Sequence, residues 1–213
     1  MALVASALFM LSASAMNAGS VSEWRFSVLL DGSPIGYHRF ELTERGAERE
    51  LRSEARFNVK VLFINAYRYV HDNQERWQGD CLAQIDARTD DNGAKNVVRG
   101  TQSATRFVVS TAQRVTDLGS CVQTFAYWNP QILNATHLLN PQTGEYVPVR
   151  IAPLGAEQLS IRGAAQAAQR YRLIGEAVSG EKLQIDLWYS PAKEWLALES
   201  VTEDGRRLRY QLQ

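Results

Sequence analysis

The chain has 213 residues, with 23 Lys plus Arg against 23 Asp plus Glu and a formal charge of zero. That balance leaves no electrostatic footprint for nucleic acid or for an anionic membrane surface, and nucleic acid is not an expected partner. The length suits one β domain, because barrels and sandwiches often run to this size undivided.

Residues 1–18, MALVASALFMLSASAMNA, carry no charge. The apolar run is short for a membrane span, and Ala13-Ser14-Ala15 offers small residues at cleavage spacing. The expectation is a signal peptide over 1–18 and a single β domain over 19–213, periplasmic or secreted. Once processed, the protein is expected not to be integral to a membrane. An uncleaved anchor is the alternative, and the lack of a leading Lys or Arg leaves room for a start further upstream.

Period-two alternation dominates the remainder of the chain. Trp24, Phe26, Val28 and Leu30 share one face of a first strand, and Asp31-Gly32-Ser33-Pro34 turns the chain. Ile35–Glu44 and Glu50–Val59 are the next strands. A short apolar run, Val61-Leu62-Phe63-Ile64, precedes a long aromatic strand, Tyr67–Trp77. Gly79-Asp80 leads into Cys81–Asp90, and Asp91-Asn92-Gly93 is a strong hairpin signal. Lys95–Gly100 and Arg106–Thr111 continue the meander.

The segment Ser120–Glu145, SCVQTFAYWNPQILNATHLLNPQTGE, fits neither a clean strand nor a clean helix. Its start, Cys121–Trp128, has room for two helical turns. Strands resume at Leu159–Arg162, Arg170–Ile174, Leu183–Tyr189 and Trp195–Glu203. Gly163–Gln169 reads as a short helix or a loop. Asp204-Gly205 closes a last hairpin into Arg207–Leu212. The fold class expected is mainly β: one antiparallel curled sheet or open β-barrel of about ten strands, with a short helical or loop cap.

The two cysteines, Cys81 and Cys121, most simply form one disulfide in an oxidising compartment, with two free thiols as the alternative. No C-x-x-C redox motif, G-x-S-x-G elbow or Gly-rich phosphate loop occurs, and no catalytic residue, metal ligand or cofactor is assigned. The three histidines, His38, His71 and His137, lie on different elements. His71 and Asp72, adjacent on a strand, point to opposite faces. Aromatic side chains carry the stronger hint. Phe125, Tyr127 and Trp128 in the irregular segment, with Tyr67, Tyr69 and Trp188 on strands, are the candidate ligand-binding set. Packing of a β core is the competing explanation for all six.

Several motifs carry a resemblance: W-x-F-x-V-x-L-D-G-x-P-I-G-x-H at Trp24–His38, Cys81 with Cys121, T-F-A-Y-W at Thr124–Trp128, L-L-N-P-Q-T-G at Leu139–Gly144, and L-W-Y at Leu187–Tyr189. Together they resemble a proteobacterial exported family catalogued as a domain of unknown function. The resemblance spans the mature chain and implies a periplasmic β-rich protein with no catalytic residue to carry over. The meander also loosely resembles the open β-barrel of periplasmic lipoprotein carriers, in architecture only.

Three functions are compatible with these features. The first is a periplasmic binding or carrier protein for an apolar, lipid-like molecule. The second is a cell-envelope interaction or structural module with a solid core, partnered by an envelope protein. The third is a metal-dependent or hydrolytic enzyme built on the histidines. Ser120–Glu145 is expected to be a cap stapled by the disulfide, with corners at Asn129-Pro130 and Asn140-Pro141.

Overall fold

The computed structural model describes residues 19–61, 64–178, 180, 182–202 and 204–213. The signal-peptide reading of 1–18 falls outside the described residues, as does the centre of the apolar run at 62–63. The protein is mainly β, and one antiparallel sheet holds fourteen strands rather than about ten. In chain order they are β1 (Ser20–Leu30), β2 (Ser33–Arg45), β3 (Glu48–Val61), β4 (Ile64–Gln78), β5 (Cys81–Asp91), β6 (Ala94–Gln102), β7 (Phe107–Ser110) and β8 (Val115–Leu118). After the irregular segment come β9 (His137–Leu139), β10 (Tyr146–Ile161), β11 (Ala164–Glu176), β12 (Lys182–Tyr189), β13 (Trp195–Val201) and β14 (Arg207–Leu212).

Every strand pairs with its neighbour in sequence, except that β1 also pairs with β14 and the β8–β9 step is broken. The first and last strands therefore lie mid-sheet, and the edges of the sheet are β8 and β9. The tight turns obey their residues. Asp31-Gly32 and Asn92-Gly93 both take positive φ at two successive positions, as the twist of a two-residue hairpin requires.

The sheet is not closed by a strand ladder. Residues 119–124 cross between its edges instead. The Leu82 N–H donates to the Val122 carbonyl at 2.8 Å, and the Leu139 N–H donates to the Gln123 carbonyl at 2.8 Å. Successive carbonyls thus bind β5 on one side and β9 on the other. The Cys81–Cys121 disulfide fixes the start of the crossing. Asn129 caps a 3-10 helix at Pro130–Asn134, its side chain accepting from the Gln131 N–H, and Asn140 accepts from the Gln142 N–H at 2.9 Å. The two Asn-Pro corners are therefore built as expected.

Three elements differ from expectation. Cys121–Trp128 is irregular rather than helical, and the only helical turn of the cap comes later, at Pro130–Asn134. Gly163–Gln169 is neither helix nor loop, because Arg162-Gly163 is a hairpin turn and Ala164 begins β11. β10 starts at Tyr146, well before Leu159. Pro148 and Pro153 argue against a strand there. Pro153 is accommodated at a register shift, and Pro148 pairs with the short edge strand β9.

The curled sheet has two apolar faces of unequal size. The large interior core joins Phe26, Phe40, Trp77, Leu82, Ile85, Phe107, Leu187, Tyr189 and Trp195 to Val122, Trp128 and Ile132 of the crossing segment. A small exterior core forms where Ile161 and Ala168, from the β10–β11 hairpin, cover Trp188, Leu196 and Ala197. The rest of the exterior on β1–β6 carries ion pairs, across strands (Arg39 with Glu23, Arg56 with Asp72, Arg99 with Asp86) and along them (Arg39 with Glu41, Arg88 with Asp86). Exposed pairs of this kind contribute little energy. They do set the character of the face, which is the reverse of the apolar exterior of a membrane-spanning barrel.

The disulfide closes a 40-residue separation. The chain-entropy model assigns such a loop about 4 kcal/mol. The Cys81→Ser/Cys121→Ser double variant should lose about that much in urea denaturation, with secondary structure retained at zero denaturant.

Candidate functional site

The most unusual surface of the molecule is the inward face of β4. Alternation sends Tyr67, Tyr69, His71, Asn73, Glu75 and Trp77 inward, and the last five are buried. Every one of these side chains can form a hydrogen bond. A strand serving only a hydrophobic core would place Val, Ile or Leu at most of these positions.

Register arranges the interior in rungs across β2 to β5. Gly36, Phe57, Tyr69 and Asp91 form the first. His38, Ala55, His71 and Thr89 form the second, and Phe40, Ser53, Asn73 and Ala87 the third. Leu42, Leu51, Glu75 and Ile85 form the fourth. An aromatic end thus leads into a polar belt over the second and third rungs, which Glu75 extends into the otherwise apolar fourth.

The belt is extensively hydrogen-bonded. His38 Nε2 lies 2.7 Å from Ser53 Oγ, and His38 Nδ1 lies 3.2 Å from the Tyr210 hydroxyl. His71 Nδ1 meets Thr89 Oγ1 at 2.9 Å. Asn73 Nδ2 and Trp77 Nε1 each donate to Glu75 at 2.9 Å. Three buried atoms nearby have no partner: Asn73 Oδ1, Thr124 Oγ1 and Trp128 Nε1. Thr124 lies against the Glu75 carboxyl without the geometry of a good hydrogen bond.

Burial governs the charge states. Desolvation pulls His71 down to about 4, the nearby Asp72 opposing and Arg56 assisting. His38 is also held well below its usual value, by burial and then by the neighbouring His71. Glu75 is pushed up by burial, partly offset by hydrogen bonds from Asn73 and Trp77. At neutral pH both imidazoles are uncharged donor–acceptors.

The six aromatic candidates do not form one site. Trp128 is buried and packs edge-on against Trp77 at 5.5 Å. Tyr127 lies 5.4 Å from Trp195, and its carbonyl accepts from the Tyr189 hydroxyl at 2.7 Å. Phe125 packs against the same core. These three rings fill the interior beneath the crossing segment, which makes that segment a plug. Tyr67 and Tyr69 lie further along β4, where Phe57 stacks on Tyr69 at 5.1 Å, and of the three plug rings only Tyr127 comes near Tyr69, beside Tyr210. Trp188 separates from the set altogether. Its neighbours Leu187 and Tyr189 point inward, so alternation sends Trp188 to the exterior core, where it donates to Glu157 and lies under Arg170.

The histidines do not converge on a metal. His38 and His71 share a rung but bind different hydroxyls, and His137 is exposed on β9, stacked on Tyr146. Among the described residues, no group of three His, Cys, Asp or Glu is placed to hold an ion. Ser53 and His38 do stand at nucleophile–base distance. Ser53, however, is mid-strand with ladders to β2 and β4, so the surrounding backbone N–H groups are committed to the sheet and form no oxyanion pocket.

The family's pattern matches residues 26–213. The chain belongs to the domain of unknown function DUF6134. Among curated proteins none matches this DUF6134 chain. A similar solved structure is the β-barrel-like protein of domain of unknown function DUF1849 from Brucella abortus. Its TM-score is 0.65 at 9% identity, covering 93% of this chain and 98% of that one. The likeness is one of fold, and it agrees with the barrel-like architecture expected of the DUF6134 chain.

Of the belt residues, the sequence singles out His38 and His71 only as histidines of a possible enzyme site; Asn73, Glu75, Ser53 and Thr89 are not among its candidates. Their signal is present in Y-x-Y-x-H-x-N-x-E-x-W over 67–77, where a period of two places every hydrogen-bonding side chain on one face. The predicted consequence is acid lability. His71 is neutral when folded and protonates near 6.5 when unfolded, so its stabilisation is complete above that value and drains away as pH falls to about 4. The loss amounts to about 3 kcal/mol. Glu75 acts in the opposite sense, favouring the fold as pH falls toward the ordinary carboxylate range. Urea midpoints at pH 7 and pH 5 should fall for the wild type and fall less for His71→Gln.

Proposed function

We propose that this DUF6134 protein is a periplasmic binding or carrier protein for an apolar, lipid-like small molecule, held at the aromatic end of the barrel interior. The supporting observation is a gradient of exposure along inward-facing rings. Trp77 is 2% exposed and Tyr69 7%, while Phe57 and Tyr67 are only partly buried. Exposure therefore rises along the inward face of β4 toward Tyr67, where stacked aromatic rings continue inward to Tyr210. Concave aromatic surfaces with a few fixed polar groups behind them suit small apolar ligands. The uncharged N-terminal run supports export, and the charged exterior suits a body surrounded by water.

The packing beneath the plug supports a second reading, a cell-envelope interaction module with a solid core. Trp77, Trp128, Tyr127 and Trp195 leave that half of the interior filled. The readings differ in what co-purifies from the native periplasm: a lipid by mass spectrometry, or a stoichiometric protein.

Titration with an environment-sensitive apolar dye should give saturable one-site binding. Tyr69→Ala should weaken it by about tenfold, since buried aromatic anchors dominate such sites. Trp188→Ala, on the exterior, should leave it unchanged. Absence of saturable binding, or equal loss in both variants, would count against the carrier reading.

A further inference from the structure

We propose that the outer edge of β10 is an interface between two copies of this chain. The two β10 strands run antiparallel about a twofold axis between Pro153 and Leu154, with Arg150 of one copy opposite Glu157 of the other. The inference is independent of the carrier reading.

β10 is the longest of the fourteen strands, and much of one edge is uncovered. Among the described residues, β9 pairs with it only over Tyr146–Pro148, and the Thr136 carbonyl then accepts from the Val149 N–H. From there to Ile161, β11 pairs one edge of β10 and no described strand pairs the other. Every residue from Ala152 to Gln158 is exposed, Leu154 to 49%. An open groove of about 550 Å³ beside Pro148, Arg150, Ile174 and Lys182 continues this uncovered surface. Backbone N–H and C=O groups along such an edge are a template for another strand.

The side chains favour a second copy as that strand. Between Tyr146 and Ile161 the only charges are Arg150 and Glu157. Both lie on the outer face. Val149 and Ile151 pack on the large core, so alternation sends Arg150 outward, and Glu157 accepts from Trp188 of the exterior core. Residues opposite one another in an antiparallel pair share a face and a hydrogen-bonding edge. In an unbroken strand such residues are an even number apart. Arg150 and Glu157 are seven apart, and the register shift between Pro153 and Gly155 inserts the one residue that brings them into phase. Self-pairing then sets each Arg150 against a Glu157, with no like charges opposed. Ala152 meets Gly155, small against small, and the exposed Leu154 meets Pro153 at the axis.

Val149 donates outward, so alternation places Ile151 and Pro153 at the same edge. Pro153 has no N–H to give, which shortens the ladder. A short ladder with a small apolar centre makes a reversible dimer rather than a permanent one.

Sedimentation equilibrium of the full-length protein at micromolar concentrations should show monomer–dimer exchange. Arg150→Glu should raise the dissociation constant about tenfold, because two attractive pairs become two repulsive ones. The exchanged chain Arg150→Glu/Glu157→Arg rebuilds both pairs in reverse and should recover to within about twofold of the wild type. Leu154→Asp, exposed and at the axis, should abolish the dimer, and it decides the matter should loss of the Trp188 contact unfold the exchanged chain. A monomer at every concentration overturns the inference and leaves the edge to another partner. A dimer indifferent to Arg150→Glu or to Leu154→Asp, or a folded exchanged chain that does not recover, overturns it equally.

Discussion

A fourteen-stranded meander that does not close leaves two free edges, and here those edges are β8 and β9. Because the two are consecutive in the chain, the segment joining them must cross the gap between them. That single constraint organises the molecule. Crossing in the open would leave the sheet edges unpaired and prone to association. Instead Val122 and Gln123 direct their carbonyls to opposite sides, the disulfide fixes the entry, and Trp128 and Ile132 anchor the exit in the core. The plug thus replaces a strand in function without being one. A segment so tied has no freedom to act as a lid, and the proposed carrier reading therefore places entry at the far end of the interior.

The two ends of the interior differ in character. Beneath the plug, rings interlock and supply the large apolar burial that a domain needs. Along β4 toward Tyr67 the same interior passes into a polar belt and then into stacked aromatic rings. The belt makes the core sensitive to acid, since both histidines resist protonation while folded, and Glu75 is enclosed with only neutral partners. Polar networks of this kind rigidify a site when satisfied and mark a function when they are not. The unpartnered oxygen of Asn73 is the clearest such mark.

Much of this architecture is legible in the residues. The hairpin at Asn92-Gly93 and the face shared by Phe26, Val28 and Leu30 come from turn chemistry and alternation. The disulfide is the simplest fate of two cysteines in a chain that reads as exported. Other features are hidden for physical reasons. The Ala-rich start of β11 has weak strand propensity and is held by its long pairing with β10. Two prolines mask β10, because the sheet absorbs one at a bulge and one beside a three-residue edge strand. Trp188 resembles its aromatic neighbours unless alternation is taken strictly. The site is half visible: Tyr67 and Tyr69 stand out as aromatics, while His71, Asn73 and Glu75 mean little singly and become a belt only when read together as one face.

The central claim is that ligand meets the interior along β4 and not at the plug. A photoactivatable alkyl alcohol, crosslinked in the full-length protein and mapped by peptide mass spectrometry, tests it most directly. Label on Phe57, Tyr67 or Tyr69 is the predicted result. Label concentrated on Phe125–Trp128, or on the exterior around Trp188, would contradict it.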